Sequence, residues 1–80
     1  MKKGEWEIMA TTITITLPAV ITIVNTSDKA IGFVPYRENF TTYLPAGDTI
    51  VLEATTAGQV LYYLAQETEG LSVSHAAKNA

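Results

Sequence analysis

Thr11-Thr12-Ile13-Thr14-Ile15-Thr16-Leu17-Pro18-Ala19-Val20-Ile21-Thr22-Ile23-Val24-Asn25 is the stretch from which the fold class follows. Its first half alternates strictly. Ile13, Ile15 and Leu17 fall on one side, and Thr12, Thr14 and Thr16 on the other. A period of two predicts a half-buried strand, and threonine, branched at Cβ, suits a pleated surface. Pro18 has no N–H and interrupts the ladder or marks an edge. From Ala19 to Asn25 the chain is apolar on both faces, which predicts a more central strand. No charge occurs between Met9 and Thr26. A flat, neutral, alternating strand tends to pair with another chain. Ile13, Ile15 and Leu17 are therefore candidate assembly residues, on a strand either covered by its own fold or crossing to a neighbour as a swapped arm.

Turn signals divide the rest of the chain. Asn25-Thr26-Ser27-Asp28-Lys29 is a turn cluster. Ala30 to Val34 reads as a strand, with Gly32 marking a bulge or a close backbone approach. Phe40 to Leu44 alternates again, with Phe40, Thr42 and Leu44 on one face. Pro45-Ala46-Gly47-Asp48 is a turn, and Thr49 to Ala54 a strand, so a hairpin is expected around it. The period then changes. Ala57, Val60, Leu61 and Leu64 lie at i, i+3, i+4 and i+7, one face of a short helix. Thr55 or Thr56 can cap its start, and Gly70 is expected near its end. Leu71 to Ser74 reads as a last short strand, and the residues from His75 onward are expected to fray. The fold expected is a mainly-β single domain over residues 9–76: a small β-sandwich or open barrel of five to six strands, with one short helix near residues 57–66.

Composition limits what such a domain can do. Eighty residues make one small core, and small domains lean on disulfides, a metal or a partner subunit. The chain has no cysteine and one histidine, which excludes disulfides, thiolate metal sites and multi-histidine sites. Oligomerisation is the support left open. Charged residues are only 16% of the chain, below the roughly 25–35% of an ordinary soluble surface. The five Lys and Arg are scattered and the net charge is −3, so no basic stripe exists to neutralise phosphates and nucleic acid is not an expected partner. No apolar run approaches the roughly 20 residues of a membrane-spanning helix.

Catalytic patterns are weak. Ser72, Ser74 and His75 are close in sequence, but a nucleophile needs a base and an orienting group placed in space. Glu67 and Glu69 sit at a helix end, and Asp28 and Asp48 in turns, where solvation and backbone bonding account for them. No metal spacing or phosphate-binding loop appears, and no cofactor is implied. The expectation is a non-enzymatic protein. Four tyrosines and two phenylalanines form either core and rim or a binding surface. Tyr62 and Tyr63 are adjacent, so both cannot face a core equally. With Tyr36 they are candidate partner-binding residues, for a carbohydrate or a host protein.

The opening Met1-Lys2-Lys3-Gly4-Glu5-Trp6-Glu7-Ile8 shares no pattern with the residues after it. Lys-Lys-Gly-Glu can be encoded as a purine-rich ribosome-binding sequence, with Trp6 to Ile8 as spacer before Met9. Two readings stay open: a translated leader with the native start at Met9, which would point to a bacterial or phage gene, or a genuine polar arm.

The β-run ending in Val24-Asn25-Thr26-Ser27-Asp28-Lys29, the strand ending at Leu44, the Pro45-Ala46-Gly47-Asp48 turn, the strand Thr49 to Ala54 and the helix Val60-Leu61-Tyr62-Tyr63-Leu64 together resemble small proteins encoded among the head genes of tailed phages. The likeness covers roughly residues 19–74, and its motifs occur in many small β proteins. It implies a subunit that decorates or cements the capsid, or anchors a head fibre. The implied partners are the major capsid protein and copies of itself, as dimer or trimer. The implied location is the capsid surface of the virion, after synthesis in the bacterial host cytoplasm. The lack of a long coiled-coil or collagen-like stretch favours decoration over a complete fibre.

Overall fold

The computed structural model describes residues 14–78. Ile13 and the Met1 to Met9 opening lie outside them. The protein is mainly β. Among the described residues the five strands are β1 (Ala19–Asn25), β2 (Ile31–Phe33), β3 (Thr42–Leu44), β4 (Thr49–Ala54) and β5 (Leu71–Ala77), with one helix, α1 (Ala57–Leu64), between the last two. They form two antiparallel sheets, a three-stranded sheet in the order β4-β1-β5 and a two-stranded sheet of β2 and β3. The barrel is not closed.

β1 is central, as its two-faced apolar pattern requires. Its inward residues Ala19, Ile21 and Ile23 are buried, and it pairs along its whole length with β5 and over Ala19–Val24 with β4. Phe33 and Leu44 from the smaller sheet, Val60 and Tyr63 from α1, and Leu71 and Val73 from β5 close over the same face. One core thus joins both sheets and the helix, driven by removal of these side chains from water.

Four expectations change. Thr14 to Leu17 is not a strand, because an alternating segment becomes one only where a partner edge is presented and none of the described residues pairs with it. The hairpin across Pro45–Asp48 does not form. β3 pairs with β2 and β4 with β1, because the turn sits over the end of β1, where Asn25 N–H donates to Asp48 O at 2.9 Å and Gly47 N–H to Asn25 O at 2.9 Å. The turn therefore moves the chain from one sheet to the other. α1 is capped at Thr56 by a reciprocal bond set with Gln59, but it ends at Leu64, and Gly70 instead serves a separate tight turn between Thr68 and Leu71 with φ of 87°. β5 continues through His75 to Ala77, because β1 offers a partner that far: Ala19 pairs with Ala77, and Lys78 N–H donates to Pro18 O.

The junction of the two sheets is held by Asn25, whose side chain is fully buried at 0% exposure. Its Nδ2 donates to Lys29 O at 2.7 Å and to Leu44 O at 2.8 Å. Its Oδ1 accepts from the Ser27 N–H at 2.9 Å and lies 2.7 Å from the Ser27 hydroxyl. Every polar atom of the amide is used. Asn25→Ala should destabilise the protein by about 2 kcal/mol, since the buried Leu44 carbonyl loses its donor while Lys29 O keeps only the Ser27 hydroxyl. Urea unfolding followed by circular dichroism checks this, and a loss no larger than that of an exposed Thr26→Ala control would refute the role.

Candidate interaction surfaces

The three tyrosines picked out in the sequence do come together, as a clamp. Tyr62 lies edge-on to Tyr36 and to Tyr63, with ring centroids 5.3 Å and 5.2 Å apart. Tyr63, with only 6% exposure, accepts the Tyr36 N–H at its hydroxyl at 2.8 Å. The Tyr62 hydroxyl donates to Val34 O at 2.6 Å. Gln66, just past the helix, accepts the Val34 N–H at 2.9 Å and donates to Val34 O at 2.8 Å. A side-chain amide here meets the backbone as a neighbouring strand would. Residues 34–36, emerging from β2, are thereby tied to the C-terminal end of α1.

This clamp accounts for the helix face. The expected stripe included Ala57 and Leu61, yet the buried positions are Val60 and Tyr63, and Leu61 is exposed. Bringing the Tyr63 hydroxyl to Tyr36 rotates α1 about its axis and turns Leu61 outward. Gln66 carries no periodicity or motif signal, so its role emerges only from the structure.

Of the arm residues, Ile15 is half-buried against the core and Leu17 is 42% exposed. Phe40, expected to share a face with Leu44, is exposed, as is Tyr43. Tyr43 pairs with Gly32 across the small sheet. A Cβ on Gly32 would lie 2.5 Å from the Thr41 methyl and 3.0 Å from the Tyr43 ring, so side chains, and not the bulge or close backbone approach expected, require glycine there.

The second surface is the outward face of the larger sheet. Register places Glu53, Val20 and Ala76 in one row, Val51, Thr22 and Ser74 in the next, and Thr49, Val24 and Ser72 in the third. Val51 is 61% exposed. The one acid, Glu53, forms an ion pair with Lys78 at the rim. The rest of the face is neutral and built of small or β-branched side chains.

Strand alternation also separates the residues considered for catalysis. Ser72 and Ser74 lie on the outer face, while half-buried His75 points to the inner one. Glu67, Glu69, Asp28 and Asp48 are exposed. Among the described residues no group of three His, Asp or Glu could hold a metal ion, and no helix is long and apolar enough to cross a membrane. Comparison with protein-family models, with curated proteins and with solved structures found no match to the chain.

The clamp yields a test. Gln66→Ala removes two bonds to Val34 and should cost about 2 kcal/mol, and Tyr62→Phe, which removes a hydroxyl donating to Val34 O and more weakly to Pro35 O, about 1 kcal/mol. Equilibrium unfolding measures both, and equal, negligible losses would show that the clamp does not hold the helix.

Proposed function

We propose that the protein is a non-enzymatic structural subunit of a phage virion, bound to the outer face of the capsid as a decoration or cement protein or as an anchor for a head fibre. The observation that carries the assembly part is the outer face of the β4-β1-β5 sheet. An antiparallel sheet facing water normally shows polar, charged side chains there. This one shows Val20, Val24 and exposed Val51 among Thr and Ser, with a single paired acid. A flat, neutral face is suited to a protein surface, where contact requires little desolvation of charge. The capsid as partner rests on the resemblance of residues 19–74 to phage head proteins. Many weak copies per shell would lock neighbouring capsomers by multivalency.

A free module reading a carbohydrate or host protein through Tyr36, Tyr62 and Tyr63 draws on their clustering, but the bonds of Tyr62 and Tyr63 hold the helix to residues 34–36. Such a platform would have to bind without the hydroxyls of Tyr62 and Tyr63.

Intact-protein mass spectrometry of purified particles from the source should find the chain in many copies per particle. Its absence from particles, with abundance in the soluble cell fraction, would end the virion reading. Val51→Lys and Ser74→Lys, at outward positions of one row, should shift stability by no more than about 0.5 kcal/mol and weaken shell binding at least about tenfold. Unchanged binding would clear this face of the role.

A further inference from the structure

The backbone hydrogen bonds at the ends of β1 fix which way each strand's polar groups point. Lys78 N–H donates to Pro18 O, and Thr26 N–H to Gly70 O. In an antiparallel ladder the bonded pairs alternate, so Ser72, Ser74 and Ala76 direct their N–H and C=O toward β1. Val73, His75 and Ala77 direct theirs the other way, to the free side of β5. Leu71 points outward too, but its N–H and C=O are bonded to Thr68. Among the described residues nothing pairs with the outward groups of Val73, His75 and Ala77.

Natural sheet edges are blunted by charge, proline or a bulge. β5 has none of these. Leu71-Ser72-Val73-Ser74-His75-Ala76-Ala77 contains no Asp, Glu, Lys, Arg or Pro, and its register with β1 runs unbroken over seven residues. β4, the opposite edge, has Glu53 in its outward set and forms the ion pair there. Among the described residues the two edges of the sheet are therefore unlike, and one of them is open.

We propose that the β5 edge is a strand-pairing surface for a second copy of this chain, giving a continuous six-stranded sheet across a two-fold axis. The inference deepens the assembly reading and rests on it for a partner class. A second copy fits because the edge is complementary to itself. Run antiparallel, His75 meets His75 of the partner subunit, and Val73 meets the position of Ala77. Each outward N–H then faces an outward C=O, and no like charges from Asp, Glu, Lys or Arg oppose each other.

The direction of the N–H groups provides the test. Proline is tolerated on an edge where the lost N–H faces out, so His75→Pro and Ala77→Pro should keep the fold, seen by circular dichroism, and remove bonds only between copies. Ala76→Pro deletes an N–H aimed at β1 and should lower the melting temperature. Sedimentation velocity of the purified full chain, without shells, should show a concentration-dependent dimer, weakened about tenfold or more by His75→Pro. A wild-type chain that stays monomeric at millimolar concentration overturns the proposal, as does a folded His75→Pro that dimerises unchanged. A monomer that pairs only after residues 1–13 are removed also overturns it, showing that the chain's own start covers the edge. None of these results touches shell binding, so the two readings fail separately.

Discussion

The fold depends on one buried amide. β1 has to end where the chain divides into two sheets, and at that point three segments converge: the loop after β1, the end of β3 and the turn into β4. Asn25 meets all three, binding Lys29 O and Leu44 O with its amide nitrogen and Ser27 with its oxygen, while its own backbone bonds Gly47 and Asp48. An apolar residue of similar size would leave the buried Leu44 carbonyl without its donor in a dry interior, where unpaired polar groups cost most. The exchange between sheets is therefore specified by hydrogen bonding more than by hydrophobic contact.

The helix is attached by related means. Eight residues, with glycine second among them, make too short a helix to stand alone in water. α1 is fixed at its start by the Thr56–Gln59 cap. At its far end the amide of Gln66 and the hydroxyls of Tyr62 and Tyr63 hold residues 34–36. A chain with so small a core thus uses side-chain-to-backbone bonds at both critical joints. Loss of Gln66 leaves the Val34 N–H, and loss of the Tyr63 hydroxyl leaves the Tyr36 N–H, without the partner each has here.

The features legible in sequence are those set by periodicity. The central position of β1, the β4 strand and the existence of a helix near residues 57–66 follow from alternation and from the change of period. Pairing is not legible, because Pro45-Ala46-Gly47-Asp48 looks the same whether its strands pair together or separate, and the deciding group, Asn25, lies twenty residues upstream of Pro45. The helix face escapes sequence reading for a similar reason: hydrophobicity weighs Leu61 above Tyr63, but only Tyr63 has a hydroxyl that reaches the Tyr36 N–H. Tyr36, Tyr62 and Tyr63 stand out as a group from composition and adjacency. Their bonding depends on β2 leaving its sheet beside the helix, which no local pattern encodes.

The two surfaces left by this architecture are geometrically linked. The outward groups of β5 belong to Val73, His75 and Ala77, whose side chains turn to the inner face or its margin. Pairing between such residues in two copies matches inner face to inner face, so the two-fold axis stands perpendicular to the sheet. The neutral outer faces of both copies would then lie side by side and look in the same direction. A dimer built on the β5 edge would present one broad sheet face to a single partner surface, and both halves could engage it at once. Edge pairing of the opposite parity would bring the bonded set of Ser72, Ser74 and Ala76 into competition with β1. The ladder therefore permits only the arrangement in which self-association enlarges the outer face, which is the arrangement a multivalent contact with an extended shell requires.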